Sequence, residues 1–140
     1  AVQTHMIKGD EYTMEQKMQY GGMISDLPVV TGGHFIENSE KRIVYGPDGR
    51  FWDDFVMRCF TLAPGAASDS HAHPWCHWTV CIEGDGFFNV GDETYELHPG
   101  AWVHVPANLP HNFGANADSG KLSLLCIVPP EGDVNPLNGC

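Results

Sequence analysis

The chain has 140 residues, of which 42% are hydrophobic and 18% are charged, a composition that indicates one compact globular domain and excludes a wholly disordered polypeptide. Eighteen acidic against seven basic side chains give a formal net charge of −11, which repels phosphate groups and excludes nucleic-acid binding through a basic patch. The same charge disfavours an anionic membrane surface, and the longest apolar stretch, from Leu122 to Val128, is far shorter than the roughly 20 residues of a membrane helix.

Residues 1–40 are predicted to form an irregular N-terminal arm. The pairs Gly21-Gly22 and Gly32-Gly33 interrupt any long element, and only a short helix from Thr13 to Tyr20 is expected, with Thr13 as its N-cap. Because the arm contains too few apolar residues to fold alone, we expect it to pack on the rest of the chain or on a partner subunit.

From Lys41 to Pro130 the sequence alternates short β-forming segments with turn residues. Eight such segments at regular spacing predict an all-β domain, a sandwich or barrel, over residues 41–130, and a loose polar tail is predicted for residues 131–140. The predicted strands are Lys41–Tyr45, Asp54–Leu62, Trp78–Ile82, Phe87–Val90, Thr94–Leu97, Ala101–Val105, His111–Ala115 and Lys121–Val128.

The five cysteines cannot all pair within one chain. Four of them lie in or beside apolar segments, where a reduced cysteine packs as a small hydrophobic residue; they are Cys59, Cys76, Cys81 and Cys126. No charged-then-apolar secretory leader opens the sequence. Together these features predict a reduced, cytoplasmic protein.

Histidine placement is the strongest chemical signal in the sequence. His71 and His73 are two residues apart, so in an extended chain their side chains point to the same face. His77 follows a Pro74-Trp75 kink, and His111 begins a later strand that can lie beside the first in a closed barrel. A lone histidine is usually a surface or hydrogen-bonded core residue, but four converging imidazoles would hold one divalent transition metal ion through neutral nitrogens.

Two segments resemble the two sequence motifs of the cupin superfamily. The first, from Pro64 to Gly84, has Gly65 followed by five residues and then His71-Ala72-His73-Pro74-Trp75-Cys76-His77, which is followed by six residues and then Gly84. The second contains Gly91-Asp92, His98-Pro99-Gly100 and Pro110-His111-Asn112-Phe113. The resemblance implies a small single-domain cupin, a jelly-roll β-barrel with a metal ion in its mouth.

The resemblance also implies the metal ligands. Cupins use the two histidines of the first motif, a following glutamate and the histidine of the second motif, which here correspond to His71, His73 and His111. Where the family has glutamate this sequence has His77, so we expect four histidines around one ion per chain, of iron, zinc, nickel or manganese. The alternative is a three-histidine site in which His77 binds substrate or supports a ligand. Neutral ligands leave the ion its full charge, which favours an anionic substrate.

Strand parity predicts part of the pocket beside this site. Thr79 and Cys81 share the face of His77, while Trp78, Val80 and Ile82 take the opposite, packed face. Aromatic residues of neighbouring strands are expected to line the barrel as well, and some of them to form an apolar wall over a substrate. The predicted pocket-lining residues are Thr79, Cys81, Trp102 and Phe113.

Three functions fit these observations. The first is a metal-dependent enzyme that acts, like the cupin dioxygenases, on a small oxygen-rich carboxylate or carbonyl compound. The second is a non-redox metal cupin of the isomerase, sugar-acid cyclising or lyase type. The third is a module that binds or senses a small molecule without turnover. Because the arm and the edge strand Lys41–Tyr45 need cover, and many cupins are dimers, we also expect a homodimer.

Overall fold

The computed structural model describes residues 20–30 and 36–133. The predicted helix from Thr13 lies outside these residues except for Tyr20. The prediction of an all-β domain is confirmed, and each observed strand boundary lies within two residues of the predicted one. The strands are β1 (Ser39–Tyr45), β2 (Val56–Leu62), β3 (His77–Glu83), β4 (Gly86–Val90), β5 (Glu93–Leu97), β6 (Trp102–Val105), β7 (His111–Ala115) and β8 (Leu122–Val128).

The strands form two antiparallel sheets that pack against each other as a jelly-roll barrel. The larger sheet has the strand order β1-β2-β8-β3-β6, and the smaller sheet has the order β5-β4-β7. Strand β8, the last in the chain, therefore lies at the centre of the larger sheet between β2 and β3. Strand β7 lies at one edge of the smaller sheet and pairs with β4.

Alternate residues of both sheets fill the barrel, because side chains of a strand point to opposite faces in turn. Phe113 of β7 joins the two sheets: its ring centroid lies 5.2 Å from that of Phe88 on β4 and 6.1 Å from that of Phe60 on β2. Such aromatic pairs stabilise a core beyond their buried area. The other fully buried apolar side chains include Leu62, Leu97, Leu122, Leu124, Val105 and Val128.

Part of the N-terminal arm covers the edge of the larger sheet. Val29 forms a β-bridge with Arg42 of β1, and the neighbouring Val30 N–H donates to the Lys41 carbonyl at 2.8 Å. The Arg42 Nε donates to the Leu27 carbonyl at 3.0 Å. An unpaired strand edge is prone to association, and these contacts satisfy part of it from within the chain.

The C-terminal end of the described chain packs on the same sheet. Pro130–Gly132 form a 3-10 turn in which Gly132 is buried, and the Asp133 carboxylate pairs with Lys41 and with Arg58, each at 2.7 Å. The first three residues of the tail predicted as loose are therefore held in place, and the rest of that tail lies outside the described residues. Across residues 20–30 and 36–133 the only helical pieces are short 3-10 turns, and none has the length and hydropathy to cross a membrane.

Candidate metal centre

The segment between β2 and β3 brings His71 beside His111. These two residues form a β-bridge, in which His71 N–H donates to the His111 carbonyl at 3.0 Å and His111 N–H donates to the His71 carbonyl at 2.9 Å. Earlier in the segment, Ala67 bridges Gly114 of β7. A side chain at position 114 would begin 2.7 Å from the Ala67 and Phe87 side chains, so only glycine lets the segment approach β7 this closely.

Three imidazoles converge at this point. One ligand nitrogen each of His71, His73 and His111 lies within 4.8 Å of the others. The ring centroid of His71 is 4.6 Å from those of His73 and His111, and the last two are 5.2 Å apart. An ion bound at about 2.1 Å from each nitrogen requires nitrogens no more than about 4.2 Å apart, a spacing that small side-chain rotations would reach. These three histidines could therefore bind a metal ion.

Backbone carbonyls orient two of the three rings. His71 Nδ1 lies 2.7 Å from the Asp69 carbonyl, and His111 Nδ1 lies 2.9 Å from the Leu109 carbonyl. A carbonyl oxygen only accepts hydrogen bonds, so in each neutral ring Nδ1 carries the proton and Nε2 carries the lone pair. This is the arrangement that metal-binding histidines adopt, because the partner fixes both the tautomer and the ring orientation.

His77, at the start of β3, lies next to the three histidines. Its ring centroid is 5.3 Å from that of His73 and 5.0 Å from that of His111, but its nitrogens are not within the 4.8 Å group. Its Nδ1 lies 3.3 Å from Cys126 Sγ, whereas its Nε2 is buried with no hydrogen-bond partner within residues 20–30 and 36–133. A buried nitrogen without a partner costs free energy, and a metal ion is a group that would satisfy it.

The environment keeps the imidazoles neutral. Burial, with the neighbouring imidazoles of His71 and His111, lowers the pKa of His73 to about 4. Burial, and next the charge of Arg58, lowers the pKa of His77 to about 2. Burial also lowers the pKa of His111, although its contact with the Leu109 carbonyl opposes the shift. Neutral rings are the form that binds metal, so proton competition at neutral pH is weak.

Sequence analysis did not identify three side chains that support these rings. The Trp75 indole stacks on the His73 ring at 4.8 Å and 7° between planes. Arg58, fully buried on β2, places Nη2 3.1 Å from Cys126 Sγ. Burial acts to lower the pKa of Arg58, but Cys126 and Asp133 outweigh it and raise that pKa above its ordinary value. The inward parity of Arg58 on an otherwise apolar strand is the signal that could have marked it.

Three of the predicted pocket-lining residues lie in the barrel interior. Thr79 is buried and its hydroxyl donates to the Val103 carbonyl at 2.8 Å. Cys81 is buried, with Sγ 3.6 Å from the carbonyls of Glu83 and Gly84. Phe113 is buried in the aromatic core described above. Their role in lining a substrate pocket stays a prediction.

The fourth, Trp102, does not point into the barrel as expected. Trp102 is 75% exposed, because the inward residues of β6 are Val103 and Val105. Its neighbour across the strand pair is Val80 of β3, which also faces outward. The face of Trp78, Val80 and Ile82, expected to be packed, is 40–43% exposed in the single chain.

Comparison with known proteins agrees with this architecture. The family model described as the cupin domain matches residues 58–128, about half of the chain. A curated relative, the 1-methylthio-D-xylulose 5-phosphate methylsulfurylase of Rhodospirillum rubrum, is 32% identical over 77 residues, which cover 55% of this chain and 49% of the relative. The chain thus spans about half the length of that relative.

Solved structures share the fold across most of the chain. The polyketide cyclase RemF from Streptomyces resistomycificus superposes with a TM-score of 0.68 at 22% identity, covering 80% of each chain. The cupin-2 domain protein Rru_A2000 from Rhodospirillum rubrum superposes with a TM-score of 0.67 at 21% identity, covering 82% of this chain and 77% of the other. At these identities the likeness establishes the fold alone. With the family match and the jelly-roll topology, it follows that the chain belongs to the cupin family.

Proposed function

We propose that this cupin is a metal-dependent enzyme that acts on a small, anionic, oxygen-rich molecule. The observation that carries the proposal is the convergence of three imidazole nitrogens within 4.8 Å, at a site where burial keeps His73 and His111 neutral. His71, His73 and His111 would hold the ion. When bound there, a divalent metal ion polarises a carbonyl or carboxylate oxygen as a Lewis acid.

His77 is better suited to be a fourth ligand than a catalytic base. A base must take up a proton near the working pH, and a pKa lowered to about 2 makes protonation of this ring unfavourable. Its buried Nε2 has no hydrogen-bond partner among the described residues, and its ring lies beside those of His73 and His111. Coordination would satisfy that nitrogen without requiring it to carry charge.

The charges around the site support an anionic substrate. The groups that act electrostatically on His73 and His77 are other imidazoles and the Arg58 guanidinium, with no carboxylate among them. Neutral ligands leave a divalent ion with its whole charge, and Arg58 adds to the local positive potential. A carboxylate or phosphate would therefore be attracted to the site although the chain as a whole carries −11.

The side chains of the interior hold and enclose this substrate rather than exchange protons with it. The Thr79 hydroxyl is committed to the Val103 carbonyl, and the Cys81 thiol faces backbone carbonyls. The Phe88 ring stacks on His111, with centroids 6.5 Å apart, and Trp75 stacks on His73. These apolar surfaces restrict water near the imidazoles and so strengthen electrostatic contacts with a bound anion.

A non-redox reaction of the isomerase, cyclase or lyase type is our preferred assignment. It is favoured by the polyketide cyclase of the same fold. The curated relative at 32% identity, a methylsulfurylase, is named for a sugar phosphate, which supports an anionic substrate. A dioxygenase remains the second candidate, because four histidines on an octahedral ion would leave two positions, room enough for a substrate and oxygen together.

Turnover with and without oxygen separates these candidates. The chain would be loaded in turn with Zn²⁺, Ni²⁺, Mn²⁺ or Fe²⁺ and incubated with a panel of small carboxylates and sugar phosphates, in air and under nitrogen. We expect product under nitrogen with a redox-inert ion. Product that requires Fe²⁺ and air would favour the dioxygenase, and saturable binding with no product under any condition would favour a binding module.

We also propose that two copies pair through the outer face of the larger sheet. We name the outer patch as the outward apolar residues of this face: Met57, Trp78, Val80, Trp102, Leu125 and Ile127. None of these side chains is charged, while the chain carries −11, so two copies meet with least repulsion here. A contiguous apolar surface of this kind is typical of a protein interface.

A further inference from the structure

We propose that Cys126, held in place by Arg58 and Asp133, is the residue that positions His77 for metal binding. The inference rests on the proposed metal-binding function, and it assigns the supporting contacts of one ligand. Cys126 would be a positioning residue: its sulfur would contact the imidazole and not the ion.

A continuous series of contacts runs from the C-terminal turn to the imidazole. Asp133 Oδ1 accepts from Arg58 Nη1 at 2.7 Å, and Arg58 Nη2 donates to Cys126 Sγ at 3.1 Å. Cys126 Sγ in turn lies 3.3 Å from His77 Nδ1. Arg58, Cys126 and His77 are each at most 3% exposed, so water does not compete for these contacts.

The contact with Cys126 Sγ would determine the tautomer of the His77 ring. A ring that donates through Nδ1 to Sγ must carry its lone pair on Nε2, the buried nitrogen that has no partner. His71 and His111 reach the same state through backbone carbonyls. For His77 the described residues place no carbonyl beside Nδ1, and we assign the thiol of β8 as the acceptor, since its sulfur is already the acceptor for Arg58 Nη2.

Arg58 and Asp133 explain why the sulfur stays where it is. A cysteine side chain turns about a single bond, and a second contact to Sγ, from the guanidinium, fixes that rotation. The Arg58 Nε also lies 3.4 Å from the Cys126 carbonyl, which ties the guanidinium to the same residue. A fully buried guanidinium needs a charged partner, and Asp133 provides it from the turn after β8.

The same turn supports a second imidazole. A side chain at Gly132 would begin 2.8 Å from Trp75 Nε1, so the turn packs directly against the indole that stacks on His73. Residues 132 and 133 thus lie behind two of the histidines, one through Trp75 and one through Arg58 and Cys126. The turn would therefore help to position both His73 and His77.

The test measures Co²⁺ affinity by chelator competition, together with the His77 tautomer by imidazole ¹⁵N NMR of the metal-free full chain. We expect Cys126→Ala to weaken Co²⁺ binding by about ten- to a hundredfold and to erase the preference for the Nδ1–H tautomer. Cys126→Ser, which keeps an acceptor, should restore most of both. Asp133→Asn, at the end of the series, should weaken binding by about three- to tenfold.

The matched control is Cys59→Ala, which removes an equally buried thiol from β2 that contacts none of the histidines in the described structure. It should leave affinity and tautomer unchanged. If the parent chain binds no Co²⁺, the proposed function is wrong. If the parent binds and Cys126→Ala binds equally well with the same tautomer, this inference alone is wrong. A thiolate-to-cobalt charge-transfer band in the parent would make Cys126 a ligand and would also overturn it.

Discussion

Strand β3 reverses the usual arrangement of a strand, because its polar face points into the barrel and its apolar face points outward. Its inward face carries His77, Thr79 and Cys81, all buried, whereas its outward face carries Trp78, Val80 and Ile82, each 40–43% exposed. The face with imidazole, hydroxyl and thiol groups is inside, and the more apolar face is outside. From hydrophobicity alone, the apolar face would be predicted to point inward.

From this difference we infer that each face is completed by a group outside the strand. Buried polar groups cost about 1–3 kcal/mol each when they have no partner. The Thr79 hydroxyl donates to the Val103 carbonyl, but His77 Nε2 has no partner in the part of the chain that the structure describes. A metal ion is proposed to be its partner. The outward face is proposed to be completed by a second copy. Both faces therefore yield measurable predictions, from the largest effect to the smallest.

The largest expected effect is on the inward face. His73→Ala should reduce bound metal to background, because one lost ligand of three or four sharply lowers affinity at such a site. Elemental analysis of parent and variant, purified side by side, measures the change. His98→Ala is the matched control, since this exposed imidazole contacts Asp85 and Glu96, away from the histidine cluster. Equal metal content in parent and His73→Ala would contradict the ligand set.

The second prediction compares two adjacent leucines of β8 that point to opposite faces. Leu124 is fully buried, so Leu124→Ala should lower the free energy of unfolding by about 2–5 kcal/mol. Leu125 belongs to the outer patch and is only half-buried, so Leu125→Ala should cost less than about 1.5 kcal/mol. Urea denaturation, followed by tryptophan fluorescence, measures both. Equal losses would mean that the two faces are equally packed.

The third prediction concerns pH. In the folded chain burial lowers the pKa of His73 from 6.5 to about 4, so the unfolded chain binds more protons between these values. Stability of the metal-free protein is therefore complete above about pH 6.5 and falls as the pH drops toward 4, by about 1–3 kcal/mol. Urea denaturation at several pH values measures the slope.

A matched pair of histidine variants identifies the source of that slope. His73→Gln should make it shallower but not abolish it, because burial also lowers the pKa of His77 and of His111, which keep contributing. His98→Gln should not make it shallower, because the hydrogen bonds that the His98 ring donates to Asp85 and Glu96 raise the pKa of this exposed residue, so that it stabilises the folded chain toward lower pH. A parent protein equally stable at pH 7 and pH 4.5 would contradict the burial of neutral imidazoles.

The smallest effect on stability is expected on the outward face. Trp102→Ser should change the free energy of unfolding of the single chain by no more than about 0.5 kcal/mol, because its side chain is 75% exposed. It should instead shift the mass measured by light scattering from dimer to monomer. Tyr95→Ser, an exposed aromatic residue of the smaller sheet, should leave the dimer intact. A monomeric parent would contradict the proposed pairing.

The strands, the fold and the converging histidines could be predicted from the sequence, because their signals are local or belong to a spaced motif. Turn residues bound each strand, and His71, His73 and His111 stand in the two cupin-like motifs. The direction of the Trp102 side chain could not be predicted. Strand parity shows that Trp102 and His104 share a face, but not whether that face points into the barrel. The sequence also did not predict that Arg58 and Cys126 lie near His77, because their contacts depend on the pairing of β2 with β8 and of β8 with β3.

The bridge between His71 and His111 joins two points of the chain that are forty residues apart (111 − 71 = 40). An ion held by the same two side chains would act as a removable cross-link that closes this loop, and long closures gain most from such a link. Removal of the ion by a chelator would then free the backbone segment around Ala67–His71 before either sheet unfolds. Amide exchange would accelerate around Ala67–His71 and along the facing edge of β7, while strand β8, with its buried Leu122 and Leu124, stayed protected.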